Sequence, residues 1–308
     1  MTVSALPRPL ARLTPARRRE LWAIVKALLY LGPSLFVFVA FIFYPLLQSV
    51  NLSLYATDPI GRPSVFVGLE QYQKLLSAPG YVTALTVSVS FVMLTVPAIL
   101  LVSMCLALLG SLRLRGIILY RTLFSCTIAV SGATASLIFL FLYHPAIGVF
   151  TYLLDIVGLP RVPWLTSTLT ALPSVALPSI WLQLGFNTIV TLAAMQGIPD
   201  ELYEAARIDG AGAWHTFRHI TIPMLSSTVF FLLVVSTIAA FQTFTQVNIL
   251  TKGGPIDSTN LVVYSIFREF YFNGQYGYAS AQALMLFGIM LILTLVQFGV
   301  VERKVYYQ

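Results

Sequence analysis

Charged residues are separated by long apolar stretches along this chain. Six stretches longer than 20 residues contain no Asp, Glu, Lys or Arg: 27–57, 75–112, 122–154, 162–199, 219–251 and 270–301. A helix that crosses a bilayer needs about 20 mostly apolar residues, so each stretch has room for one. We therefore predict six transmembrane helices, near 28–50, 82–109, 118–143, 174–197, 224–248 and 279–301.

Composition supports an all-α membrane protein. The 308 residues are 58% hydrophobic and 9% charged, whereas soluble domains average about 25% charged residues. Such a chain is neither a soluble globule nor a disordered segment. The apolar stretches do not alternate with a period of two, so a transmembrane β-barrel is excluded, and helices satisfy the backbone within lipid. The two cysteines, Cys105 and Cys126, lie in apolar stretches and are interpreted as small hydrophobic residues.

The basic residues predict the orientation. The N-terminal tail, the 110–121 turn, the 198–222 loop and the C-terminal tail together hold 13 Lys and Arg residues, and the other connections hold 5. Because cytoplasmic loops are enriched in Lys and Arg, both termini are predicted to be cytoplasmic. The chain then divides into a basic tail (1–26), a six-helix domain (27–301) and a short tail (302–308). Its net charge of +7 is spread over four loops, which favours contact with lipid headgroups and argues against nucleic-acid binding.

One predicted cytoplasmic loop, 198–223, concentrates acidic residues, with four of the eleven in the chain. Pro199 suits the first turn of a helix, and acidic residues just after it complement the helix dipole. Gly210 is a probable stop, because glycine adopts the left-handed conformation that ends many helices. The loop is thus predicted to be a helix–glycine–helix elbow. It is either a docking surface for a partner or a plain amphipathic connector.

The same loop resembles the EAA motif of permease subunits of bacterial ABC importers. The match consists of Glu204-Ala205-Ala206, Gly210, Ile220 and Ile222-Pro223 at the family spacing. Ile222 replaces the leucine of the family form, a mild departure. The resemblance implies a type I ABC importer permease fold in which this loop couples to an ATPase. The implied coupling residues are Glu204, Ala205, Ala206, Asp209, Gly210, Ile220 and Pro223.

Further segments resemble the carbohydrate-uptake branch of that family. They are Tyr44-Pro45, residues 66–72, His144-Pro145 with Gly148, and Gly253-Gly254-Pro255. The C-terminal residues 296–308 are similar to A-type permeases of glycerol-3-phosphate importers. This resemblance implies half of a translocation pathway that carries glycerol 3-phosphate or a glycerophosphodiester by alternating access. A sugar or oligosaccharide permease is the alternative.

The energy source is expected to lie on other chains. No G-x-x-x-x-G-K-[ST] sequence is present, so the chain is not itself expected to be an ATPase. The resemblance implies two ATP-binding-cassette subunits that hold ATP and Mg²⁺, a second homologous permease subunit and an extracytoplasmic solute-binding protein. No cofactor is expected on this chain. Its expected location is the bacterial cytoplasmic (inner) membrane, as a multi-pass protein.

Polar residues inside the predicted helices are candidates for the pathway. Gln183 and Asn187 are four residues apart, as are Gln242 and Gln246, with Thr243 beside them. Residues four apart share a face of a helix. At bilayer depth, such side chains either form interhelical hydrogen bonds or line a cavity. The second interpretation predicts a face that binds solute hydroxyl groups.

Two other classes of function are less well supported. A secondary transporter normally places an ionisable residue within the membrane, and the six long stretches contain no Asp, Glu, Lys or Arg. A membrane-embedded enzyme needs a cluster of His or acidic residues, and the acidic cluster in the elbow has the better explanation above. His215 and His219 have the spacing of metal ligands, but no third ligand is evident. We therefore predict no metal site.

Overall fold

The computed structural model describes residues 15–112 and 115–301, and almost all of its regular structure is helical. Residues 1–14 of the predicted N-terminal tail (1–26), the predicted C-terminal tail (302–308) and residues 113–114 lie outside the described residues. The helices are α1 Pro15–Phe38, α2 Tyr44–Ser53, α3 Glu70–Ser77, α4 Pro79–Ser111, α5 Ile117–Ser125, α6 Gly132–Leu142, α7 Val149–Val157, α8 Ala171–Gln196, α9 Asp200–Ile208, α10 Ala213–Thr216, α11 Ile222–Met224, α12 Ser226–Phe241, α13 Thr245–Leu250, α14 Val262–Tyr271 and α15 Tyr276–Val301. The strands β1 Tyr55–Thr57 and β2 Pro63–Phe66 form an antiparallel hairpin.

Within the described residues, five helical segments are long and apolar enough to cross a bilayer. They are Lys26–Ser53, Pro79–Ser111, Ala171–Gln196, Ser226–Leu250 and Tyr276–Gly299. Each coincides with one of the six predicted helices. A sixth crossing exists only if Ile117–Ala129 and Gly132–Leu142 together make one bent span. The mostly helical, multi-span architecture is therefore confirmed, and the count of spans is five or six.

The first span is apolar but lacks neighbours over most of its length. It consists of α1, a π-helical turn at Val39–Phe43, and α2, and none of its apolar window is buried. Only its last part turns towards the rest of the protein, where α2 packs against α15 and Ser53 is buried. Such a large exposed apolar surface indicates contact with lipid or with another protein.

The centre of the bundle is formed by α4 and α8, which pack along each other, with α12 beside them. Large and small side chains interlock here, including Phe91 and Val96 from α4 and Val175 and Ala176 from α8. A second apolar cluster lies at the end where α8 leads into the 198–223 loop. This arrangement joins the loop directly to the central helices.

The third predicted helix, 118–143, is not continuous, so that prediction is wrong. After α5 the chain forms a 3₁₀ turn at Cys126–Ala129, becomes extended at Val130, and restarts as α6 at an angle of 106°. The break lies against the middle of α8, because the N–H of Gly185 donates to Thr127 Oγ1 at 3.1 Å. A Cβ atom on Gly185 would lie only 2.7 Å from the carbonyl oxygen of Phe124. Glycine at 185 is what permits this close approach.

The fifth predicted helix, 224–248, is also interrupted. Helix α12 ends at Phe241, and α13 begins at Thr245 after non-helical dihedral angles at Phe244 (φ −127°, ψ −54°). Gln242 and Gln246 therefore do not share a helical face, and the expectation based on their spacing is wrong. The second break packs beside the first, because α13 contacts α6.

Short elements cover the end of the bundle opposite the 198–223 loop. They include the β1–β2 hairpin, α3, α7 and α14. One of them, α7, is a short helix that runs from Val149 to Val157. His144 stabilises the turn before it, because its Nδ1 accepts hydrogen bonds from the N–H groups of Ala146 (3.2 Å) and Ile147 (3.3 Å).

Candidate functional site

The 198–223 loop folds as the predicted elbow, and its first arm is α9. Pro199 precedes the helix with an extended conformation (φ −57°, ψ 131°), and Asp200 and Glu201 occupy the first turn. Acidic side chains there interact favourably with the positive end of the helix dipole, and Arg207 in the last turn complements the negative end. The sequence thus carries its own signals for where this helix starts and ends.

Gly210 ends α9 in a left-handed conformation, with φ of +71°. The N–H of Ala211 donates to the carbonyl oxygen of Ala206 (2.8 Å), and the N–H of Gly210 donates to that of Arg207 (3.1 Å). These two hydrogen bonds form a Schellman motif, which satisfies carbonyl groups that the helix end would leave unpaired. The corner of the elbow is therefore a defined turn.

The second arm returns to the bundle through α10, a π-helical turn at Phe217–Thr221, and α11. The two arms are tied together by a hydrogen bond of 3.2 Å between Tyr203 Oη and Thr221 Oγ1. The base of the elbow is buried among Ala107, Leu192, Met195, Ile198 and Leu225. Because these residues come from α4, α8 and the start of α12, the elbow is rooted in three central elements.

The tip of the elbow presents an exposed, partly apolar surface. Ile208 is 86% exposed and Trp214 is 70% exposed. Between the two arms lies a groove of about 600 Å³ that includes Ala205, Ala206 and Asp209. The side chain of Glu204 is exposed, with no hydrogen bond or ion pair to any described residue. Exposed apolar residues beside an unpaired charge are typical of a protein-binding surface.

The predicted coupling residues lie on the two arms and at the corner of the elbow. Glu204, Ala205, Asp209 and Gly210 are exposed, Ala206 is buried, and Ile220 and Pro223 are half-buried on the returning arm. His215 and His219 also border the groove, with stacked rings whose centroids are 4.0 Å apart. In the part of the chain that the structure describes, no three His, Cys, Asp or Glu residues could hold a metal ion.

The predicted pathway residues on α8 have different environments. Asn187 is 1% exposed, its Nδ2 donates to the carbonyl oxygen of Gln183 (2.9 Å), and its Oδ1 accepts from Ser236 Oγ at 3.3 Å. Asn187 therefore makes an interhelical hydrogen bond between α8 and α12. Gln183 is half-buried, and its side chain makes no hydrogen bond with the described residues.

The predicted pathway residues of the fifth span lie around its break. Gln242 is exposed, whereas Thr243 and Gln246 are buried. Gln246 lies beside the start of α6: its Nε2 is 3.5 Å from the position that a Cβ atom on Gly132 would occupy. Ser131 and Gly132, which begin α6, are not among the residues predicted from the sequence. The available signal was Ser131 followed three residues later by Thr134, because serine is a favoured N-cap residue.

The chain is similar to known transport proteins over most of its length. A family model described as "Binding-protein-dependent transport system inner membrane component" matches residues 65–305. Two similar relatives are each described as "sn-glycerol-3-phosphate transport system permease protein UgpA". The one from Brucella abortus biovar 1 (strain 9-941) is 37% identical over 278 residues, covering 90% of this chain and 94% of the relative. The one from Agrobacterium fabrum (strain C58 / ATCC 33970) is 37% identical over 284 residues, covering 91% and 95%.

Among solved structures, a chain from the "Crystal structure of a bacterial ABC transporter involved in the import of the acidic polysaccharide alginate" has a similar fold. It superposes with a TM-score of 0.77 at 22% identity, covering 92% of this chain and 99% of that chain. A second structure is described as the "bacterial alginate ABC transporter in complex with alginate pentasaccharide-bound periplasmic protein", also with a TM-score of 0.77. The resemblance expected from the 198–223 loop is thereby confirmed across most of the chain.

Proposed function

We propose a mechanism for this chain from the premise that it belongs to the family of binding-protein-dependent transport system inner membrane components, the permeases of ABC importers. Its substrate, in our proposal, is glycerol 3-phosphate or a glycerophosphodiester. The two relatives that are described as permeases for sn-glycerol-3-phosphate are 37% identical to this chain over nine-tenths of its length. Transport would proceed by alternating access, with this chain forming half of the pathway.

The proposed topology has six spans and two cytoplasmic termini. It follows the positive-inside rule and treats the bent pair Ile117–Ala129 and Gly132–Leu142 as one crossing. The tails 1–26 and 302–308 and the elbow 198–223 then lie on the cytoplasmic side of a domain spanning 27–301. The proposed location is the bacterial inner membrane, and the family description as an inner membrane component supports it.

The proposed complex contains a second, homologous permease subunit. The unburied first span supports this partner, because an apolar helix that packs so little against its own chain is free to pack against a second subunit. Lipid would cover the remaining outward faces. An extracytoplasmic binding protein would deliver the solute at the end of the bundle opposite the elbow.

Two ATPase subunits complete the complex and would hold ATP and Mg²⁺, whereas this chain would hold no cofactor and hydrolyse no ATP. The elbow geometry is the observation that carries this part of the proposal. Ile208 and Trp214 form an exposed tip, and Tyr203 fixes α9 to the returning arm. A push on the tip would therefore move α8 and α12 together, because both helices continue from its buried base. Glu204 would pair with a cation of the ATPase.

The proposed pathway runs past the polar residues near the two helix breaks. Gln183, Gln242, Thr243 and Gln246 would contact the solute's hydroxyl groups. Asn187 would contribute by holding α8 against α12, since its side chain is already engaged with Ser236. Interrupted helices within a membrane occur where the free backbone groups are buried in protein or line a water-filled cavity, and several transporter folds place their solute sites at such interruptions.

A sugar permease is the second candidate, because the six long apolar stretches contain no Lys or Arg that would attract a phosphate group, which suits a neutral solute. A secondary transporter is disfavoured, because the six long apolar stretches contain no Asp, Glu, Lys or Arg to bind a coupling ion.

Site-specific crosslinking tests the proposed coupling surface. In a background without Cys105 and Cys126, Ile208→Cys should crosslink to a co-expressed ATPase subunit with a short bifunctional reagent. Ile60→Cys, which is 75% exposed at the opposite end of the bundle, is the matched control and should not crosslink. Equal crosslinking at both positions, or none at Ile208→Cys in an intact complex, would overturn the assignment.

A further inference from the structure

A helix begins inside the membrane-spanning part of this protein. Helix α6 starts at Gly132, immediately after the 106° break. The preceding turn contacts the middle of α8 through Thr127 and Gly185. Gly132 itself lies beside Gln246 in α13, which belongs to the span Ser226–Leu250. The start of α6 is therefore placed well within the depth of the neighbouring spans.

The first turn of α6 has unpaired donors. Ser131 Oγ accepts the N–H of Thr134 at 3.1 Å, but the N–H groups of Gly132 and Ala133 donate to no described residue. Ala133 and Thr134 are exposed, so the described residues leave this turn uncovered. An eleven-residue helix carries a partial positive charge at its N-terminus, which favours anions there.

A second polar group points independently to the same place. Gln246 is 9% exposed, and its amide makes no hydrogen bond with the described residues. Its Nε2 lies 3.5 Å from the Cβ position of Gly132. An amide buried in a membrane protein without a partner costs free energy unless a ligand or water satisfies it. The amide of Gln246 would add a side-chain donor to the two backbone N–H donors of α6.

This arrangement addresses a difficulty of the proposed substrate. A phosphate group needs positive charge, yet none of the long apolar stretches contains Lys or Arg. We propose that the start of α6, with Gln246, is an anion site that holds the phosphate group of the solute during its passage. The positive charge comes from the helix dipole and oriented N–H groups, as at interrupted helices that face anionic solutes in membranes. This inference rests on the proposed function.

The test compares two substitutions at Ala133 in the complete complex, reconstituted in proteoliposomes with its binding protein, ATP and labelled glycerol 3-phosphate. Ala133→Asp places a carboxylate at the second position of α6, where it occupies the free N–H groups and repels an anion. Such a residue also stabilises a helix N-terminus, so folding should be preserved. Ala133→Asn has similar size without the charge, and the ratio between the two variants isolates the electrostatic effect.

We expect kcat for uptake to be about 10- to 100-fold lower in Ala133→Asp than in Ala133→Asn, as for loss of hydrogen bonds to a charged group. The KM for the loaded binding protein should be unchanged. Inorganic phosphate added at the ATPase face should inhibit uptake by the wild-type complex. At least tenfold more phosphate should be needed to inhibit uptake by Ala133→Asp to the same extent. A merely structural role of this turn would not change that concentration.

Gln246→Met keeps the length of the side chain and removes the amide, and it should also reduce kcat for uptake. If Ala133→Asp does not assemble with its ATPase subunits, the kcat of Gln246→Met is the test of the anion site. Equal uptake in the Asp and Asn variants, or unchanged kcat in Gln246→Met, would overturn the anion site while leaving the proposed function intact. A wild-type complex that imports a neutral sugar and no glycerol 3-phosphate would instead overturn the proposed substrate.

Discussion

Replacement of Gly210 by valine tests the coupling elbow directly. Gly210 has φ of +71° and no described atom within 4 Å of its Cβ position, so the substitution perturbs the backbone conformation without a steric clash. A side chain in the left-handed region costs about 1–2 kcal/mol. The alternative is to open the turn, which loses two hydrogen bonds, from Gly210 and Ala211, worth about 0.5–1.5 kcal/mol each. Either response weakens the ordered elbow by about 1–3 kcal/mol.

The expected result is an association with the ATPase subunits that is weaker by about 5- to 140-fold, since each 1.4 kcal/mol is tenfold in an equilibrium constant. Solute imported per ATP should fall, while insertion into the membrane is unaffected. Gly212→Val is the matched control, because Gly212 has φ of −71° and is also free of close atoms. The assay is uptake and ATP hydrolysis in the same proteoliposomes. Equal coupling in both variants would refute the reasoning.

Three further substitutions test packing and the pathway. Gly185→Ala should lower the free energy of unfolding by about 1–3 kcal/mol through overpacking, measured by thermal denaturation of the purified protein, whereas Gly288→Ala, with no atom near its Cβ position, should not. Ser236→Ala should cost only about 0.6 kcal/mol, because it removes one interhelical hydrogen bond to Asn187; a loss of transport with unchanged stability would contradict that structural role. Gln242→Leu should reduce uptake without loss of thermal stability, since Gln242 is exposed; wild-type uptake would remove it from the pathway.

The positions of the spans and the elbow could be predicted from local signals. A stretch of 20 or more residues without a charged side chain indicates that the whole segment lies in lipid or in the protein interior. Five of the six predicted helices occur as apolar spans. In the elbow, the signals at Pro199 and Gly210 act within one turn of the backbone they shape, so the ends of α9 agree with the prediction.

The helix breaks could not be predicted from those signals, because apolar composition does not report whether a helix is continuous. The break at residues 242–244 contains neither proline nor glycine, and it is stabilised by packing of α13 against α6. The role of Asn187 likewise depends on a partner far along the chain, Ser236. Spacing alone therefore placed Gln242 and Gln246 together when the structure separates them.

ATP-dependent uptake is the measurement that tests the central claim most directly. The purified chain would be reconstituted in proteoliposomes with a second permease, the ATPase subunits and the binding protein, and labelled glycerol 3-phosphate would be supplied on the binding-protein side. We predict accumulation that requires both ATP and the binding protein and that is lost when either is omitted. Accumulation driven by a proton gradient without nucleotide would contradict the account.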